Sequence, residues 1–217
     1  MDLKEKIESW FIPLSYSDKT LSSAYQELQE FGLKQEEIPY IIQIVENPKF
    51  DLPGGDIFHG KTNIETHDYL HIILGRGILA KDEAFVIGFT MGSTNRVTST
   101  EENLYSFFTK YLYPKAYRFT DEDLHVFKDA VKLGFISDCQ TLSEVDYSRY
   151  LEQPLGEMVK PNLQCNIYIT DRLGEIRTSS RLNEPPQTVF WALQSRADWA
   201  VACSWSGCAF RLSCFLA

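Results

Sequence analysis

Apolar residues recur along most of this chain at intervals of three and four, the spacing of one face of a helix. Residues 17–31 open on Ser17-Asp18 and place Leu21, Ala24, Tyr25, Leu28 and Phe31 at that spacing, with Gly32 closing the run. A second helix is predicted over roughly 35–46. It has Pro39 in its first turn, Ile41, Ile42, Ile44 and Val45 on the buried side, and Pro48 past its end.

Residues 47–60 read as a loop containing Leu52-Pro53-Gly54-Gly55. Thr62-Asn63-Ile64-Glu65 has the form of a capping box, and Gly75 and Gly77 stop the helix that follows it. The next helix is predicted over roughly 80–92. Further start signals are Thr100-Glu101-Glu102, Thr120-Asp121-Glu122-Asp123, with Gly134 ending that helix, and Thr141-Leu142-Ser143-Glu144. Only Cys165–Thr170 alternates well enough to suggest a strand. The expectation is an all-α fold, a single multi-helix domain over residues 1–182. After Asn183-Glu184-Pro185-Pro186, residues 183–217 form an atypical tail rich in Cys and Trp. Its readings are a docked final helix, an interfacial segment or a poorly ordered end.

Composition narrows the classes. A chain of 217 residues with 44% hydrophobic and 24% charged residues is long enough for one real core. A net charge of −9 and no Lys/Arg stripe argue against a nucleic-acid partner. Met1-Asp2-Leu3-Lys4-Glu5-Lys6 carries no apolar run of the signal-peptide kind, and no uncharged run reaches the roughly 20 residues of a membrane span. The expected location is cytoplasmic, either free or only peripherally attached to a membrane. Cys139, Cys165, Cys203, Cys208 and Cys214 are odd in number and form no C-x-x-C pair, which predicts free thiols.

The chemistry concentrates in one stretch. His67 and His71 stand four residues apart, about 40° and 6 Å on a helix, so both imidazoles can reach one ion. Asp68 lies about 60° from His71 on the same side, and the glycine break lets the next helix return Glu83 towards the pair. A lone His-x-x-x-His on a helix is common without a metal. Here, though, three of the four histidines (His59, His67, His71) fall together, with Leu70, Ile73 and Leu74 around the pair. Buried ionisable groups need partners, and an ion supplies one. Imidazole plus carboxylate suits zinc, with iron, manganese or magnesium as alternatives. Asp68 stands where the zinc-protease motif needs Glu as base, so that motif is absent.

Other features read more plainly. Leu104, Tyr105, Phe107, Phe108, Tyr111 and Leu112 make a wide aromatic face, expected in the core rather than lining a lipid pocket. Tyr113–Phe119 reads as a solvated turn, His59 as part of a mobile Gly-rich loop, and His125 as an exposed helix residue.

His67-Asp68-Tyr69-Leu70-His71, eleven residues and then Glu83 resembles the H-D-x-x-H-x11-E signature of the coenzyme Q biosynthesis protein 4 family. Leu74-Gly75 and the helical frame are similar too. The resemblance is strongest over about residues 60–95 and extends from about 15 to 155. It implies an all-α fold with a pocket for an isoprenoid tail, attachment to a membrane surface, and zinc held by His67, Asp68, His71 and Glu83. It also implies a role in ubiquinone synthesis: removal of the ring carboxyl from a polyprenylated hydroxybenzoate, or a scaffold for the other ubiquinone-biosynthesis proteins, with a homodimer as one option. Two features depart from the family. Asp82 stands where relatives commonly have Gly, and residues beyond 183 do not look like the family's ending. A metal phosphohydrolase, the remaining class with His-Asp pairs, needs a further His well upstream on another helix, and only His59 lies upstream.

Overall fold

The computed structural model describes residues 9–158, apart from 14, 15, 17, 31, 33, 51–56 and 138, together with three short strands farther along. The first stretch is helical throughout. Its helices are α1 (Leu21–Gln29), α2 (Tyr40–Glu46), α3 (Ile64–Ile73), α4 (Ala80–Ser93), α5 (Ser99–Phe107), α6 (Asp121–Ile136) and a single turn, α7 (Leu155–Glu157). The strands β1 (Tyr168–Thr170), β2 (Glu175–Thr178) and β3 (Val189–Phe190) pair antiparallel in that order. β1 falls inside the one segment that alternates in the sequence. The all-α expectation holds for the described part of residues 1–158. The tail's expected alternatives fall mainly outside the described residues, as does the Leu52–Gly55 loop.

Several helix starts differ from the sequence reading, each for a local reason. α1 begins at Leu21, not Ser17, because Thr20 is extended and bridges Pro154, while its hydroxyl accepts the Ser23 N–H at 3.2 Å. Phe31 lies outside the described residues. The run over 35–46 is two pieces: a 3-10 turn at Gln35–Glu37, then α2 with Pro39 as its N-cap. A residue before proline avoids the helical region, and Ile38 is extended. On α2, Ile42 and Val45 are buried while Ile41 and Ile44 are only partly so. α3 is capped by Asn63, whose side chain accepts the Thr66 N–H at 2.8 Å, so Thr62 and Glu65 form no box. α5 starts two residues early, from a capping box between Thr98 and Glu101. Thr120 and Asp123 cap α6 as the sequence suggests, whereas Thr141 opens only a 3-10 turn, Leu142–Glu144.

Gly134 does not end α6, which continues to Ile136. It is one of three glycines at which α4 and α6 cross. A Cβ on Gly88 would fall onto the carbonyl oxygen of Phe127, one on Gly92 onto that of Val131, and one on Gly134 onto that of Phe89. The two backbones are therefore in direct contact, a fit only glycine allows. α4 is buried almost all round from Ala84 to Ser93 and feeds two hydrophobic clusters. One contains Leu28, Leu70, Ile73, Phe85 and Phe89; the other contains Ile42, Val45, Tyr105, Phe119 and Phe127.

The aromatic face of α5 divides. Tyr105 is buried and stacks on Phe127 at 4.8 Å, but Leu104, Phe107, Tyr111 and Leu112 are exposed. α5 packs along one side only and then widens into a π-helical turn, Phe108–Leu112, which corrects the core expectation for those four residues. Cys139 is disulfide-bonded, against the expectation of a free thiol, and the other four cysteines lie outside the described residues. Among the described residues no helix is long and apolar enough to cross a membrane.

Candidate metal centre

The site is built where α3 ends and α4 begins. α3 stops because Gly75 takes a left-handed conformation (φ 62°), and the Arg76 N–H returns to the His71 carbonyl at 2.8 Å. The chain then turns through Gly77 into α4, whose first turn carries Asp82 and Glu83, the charge sign that a helix N-terminus favours. This short reversal brings Glu83 beside the two histidines of α3.

His71 is buried, and its Nδ1–H donates to the Gly77 carbonyl at 2.6 Å. That contact puts the proton on Nδ1 and leaves the Nε2 lone pair facing inward. The turn that reverses the chain thus also sets the tautomer. His71 Nε2 lies 3.0 Å from His67 Nε2 and 3.3 Å from Glu83 Oε1, and His67 Nε2 lies 2.9 Å from Glu83 Oε2. The ligand atoms of His67, His71 and Glu83 all lie within 4.8 Å of one another. One N–H cannot serve both His71 and Glu83 in good geometry from a single ring nitrogen. Two imidazole nitrogens and a carboxylate facing one point are the donor set of a zinc-type centre, so the residues fit a divalent metal.

Electrostatics agree with that geometry. Burial opposes the Glu83 charge, yet His71 and His67 hold its carboxyl well below the usual range. Burial likewise opposes a charged His67, but the Glu83 carboxylate, helped by Glu46 and Asp68, pushes it up to about 9. Asp68 is raised by burial to about 6, with His67 and His71 pulling the other way.

Of the four expected ligands the structure brings three together. Asp68 is outside the convergent group and lines the neighbouring cleft instead. One residue round from His67, its side chain leaves the helix in a different direction. That cleft has a volume of about 310 Å³. His67, Asp68 and Glu83 form part of its wall, and most of the rest is apolar: Ile38, Ile42, Ile64, Ile78, Ile87 and Phe119.

Two predicted roles change. His59 is not loose, since its N–H donates to Glu101 Oε1 at 2.6 Å and its ring pairs with Oε2 at 2.9 Å, which anchors residues 57–60 to α5. The Tyr113–Phe119 turn is only partly solvated. Tyr113 and Phe119 are buried and, with Ala116 and Tyr117, close the cleft. His125 is exposed, as expected.

The sequence reading missed Glu46, at the end of α2. Its Oε1 accepts the hydroxyls of both Tyr105 and Tyr113, each at 2.7 Å, and it lines the cleft beside His67. A signal existed, because Glu46 follows Ile42 by four residues and so shares its buried face.

Comparison with family models, with curated proteins and with solved structures finds no significant match.

Proposed function

We propose that the protein binds a zinc ion through His67, His71 and Glu83 and acts in ubiquinone biosynthesis, removing the ring carboxyl from a polyprenylated hydroxybenzoate. The observation that carries this reading is the position of the triad. Two of its members, His67 and Glu83, line a polar edge of a cleft together with Asp68, and most of the other lining residues are apolar, five of them isoleucines. A ligand with a charged head and a branched hydrocarbon tail has that distribution of polarity. Each buried methylene of the tail is worth about 0.8 kcal/mol.

The chain's own groups have distinct tasks. Gly77 fixes His71 in the tautomer that offers Nε2. Glu83 supplies the negative charge, and the apolar wall excludes water from the head group. A bound ion would supply Lewis acidity, drawing electron density from the ring carboxylate or phenolate as the carboxyl leaves. Among the described residues three ligands converge rather than four, which would leave a bound ion a position for substrate. This favours the lyase over a non-catalytic isoprenoid-binding scaffold, whose structural metal would have a closed shell. A prenylated substrate stays in the bilayer, so the protein works peripherally at a membrane surface on the cytoplasmic side, beside the other ubiquinone-biosynthesis proteins.

Mass-spectrometric metal content, measured beside a His71→Ala variant, tests the centre. Near-stoichiometric zinc in the parent and its loss in the variant are expected. Zinc-free parent protein, with a variant as stable as the parent, would sink the reading. Carbon dioxide release from a prenylated hydroxybenzoate then separates lyase from scaffold. Equal turnover of a short, water-soluble analogue would count against the lipid cleft.

A further inference from the structure

A second polar cluster lines the same cleft, built from elements other than the metal ligands' own helices. Glu46 is the last residue of α2, Tyr105 belongs to α5, and Tyr113 follows the π-helical turn. Three separate elements thus converge on one carboxyl. Both tyrosine hydroxyls donate to the same atom, Glu46 Oε1, at 2.7 Å each. Among the described residues no protein group hydrogen-bonds Oε2. Glu46 and Tyr113 both line the cleft, on the same cavity wall as His67 and Glu83.

A carboxyl with one oxygen doubly anchored is held in a single orientation. Its free oxygen then presents one well-placed polar contact in a largely apolar cleft, the arrangement that fixes a ligand's orientation. A purely structural role for Glu46 would need only Oε1. The surroundings also limit the ligand group. An anionic group has no proton to donate to an ionised carboxyl and would meet it as a like charge. A hydroxyl suits Oε2 in either protonation state, because it can both donate and accept.

We propose that Glu46 Oε2 is the recognition point for a hydroxyl on the head group of the cleft's ligand, so that the ligand is an amphiphile held at two polar points, its acidic group at the triad and its hydroxyl at Glu46. The proposal rests on the reading of the cleft as a lipid-head site and deepens it by assigning the second contact. Glu46 is a positioning residue here and takes no part in bond breaking.

The experiment is a calorimetric comparison of two probes, 3-geranyl-4-hydroxybenzoate and 3-geranylbenzoate, which differ by one hydroxyl. Both are titrated into the full chain, zinc-loaded and after chelator treatment. The wild-type protein is expected to bind the hydroxylated probe about tenfold more tightly, since its absence leaves a buried polar atom unpaired. Glu46→Leu is expected to bring the ratio close to one. Glu46→Gln keeps an acceptor for the tyrosines and a polar atom in place of Oε2, and is expected to retain a preference for the hydroxyl. Equal affinity of the wild type for the two probes overturns the proposal. So does binding of neither probe, or a ratio unchanged by the leucine substitution. If that variant does not fold, the wild-type ratio decides. A failure of the zinc reading appears differently: no metal in the protein, with the hydroxyl preference intact in both preparations.

Discussion

Two carboxylates face the same cleft, and their protons are held in opposite ways. Glu83 lies against His67 and His71, and its carboxyl is pushed well below the ordinary 4.5 despite burial. Glu46 lies against two tyrosines, and its carboxyl is raised above the same value. Burial is the largest influence on both and acts in the same direction on each. The partners decide the outcome. An imidazole can carry a full positive charge that offsets desolvation, whereas a phenol offers only a dipole. The same side chain is therefore a ready anionic ligand at one point of the cleft and a hydrogen-bonding anchor at another.

The contrast can be broken in order of effect. After the loss of zinc expected for His71→Ala, the largest change should come from Glu83→Gln in metal-free protein. It leaves a charged His67 without its carboxylate and should lower stability by about 2 kcal/mol, read from urea unfolding. Glu46→Gln should cost under about 1 kcal/mol, because the tyrosines keep an acceptor. Equal losses in the two variants would show that both carboxylates are charged to the same degree.

The pH dependence sharpens the same point. His67 is raised in the folded state, so its contribution is complete below the ordinary 6.5 and is lost as pH climbs towards about 9. Metal-free protein should lose about 1–3 kcal/mol across that interval, followed by denaturant midpoints. Glu83, being depressed, contributes above 4.5, and its contribution is lost as pH falls below that value. Glu46, being raised, acts the other way: stability declines as pH rises from 4.5. Glu83→Gln should remove the acid-side loss and Glu46→Gln the opposing slope. A flat profile for the parent would contradict both assignments. The smallest effect is expected for Tyr113→Phe, about 0.5 kcal/mol by thermal unfolding, since Tyr105 still holds Oε1.

Much of this was legible along the chain. The 3.6-residue spacing located α1 to α6 to within a few residues, and the Gly75–Gly77 break correctly placed the reversal that joins α3 to α4. His67 and His71 follow from helical angles, and Glu83 from the glycine break that lets the next helix return. What could not be read depends on contacts distant in sequence. Thr20 is extended because Pro154 lies beside it, and Gly134 is interior because α4 crosses there, which a helix-ending glycine does not distinguish. Asp68 shares a helix side with His71 by angle, but the direction of approach of α4 selects the other three. Glu46 meets its tyrosines from positions 105 and 113, too far along the chain for any local pattern to join them.

The glycine crossing of α4 and α6 has a bearing on the centre, since Gly88 lies only about 7.5 Å of helix rise from Glu83, at about 1.5 Å per residue. Gly88, Gly92 and Gly134 work as an index mark, since sliding either helix by one residue would drive a side chain into the other's backbone. Glu83 sits five positions ahead of Gly88, so its height and bearing are counted off from that mark. A single residue inserted between them would swing the carboxylate by about 100° while leaving the crossing untouched. The spacing from Glu83 to Gly88 is therefore a dimension of the site.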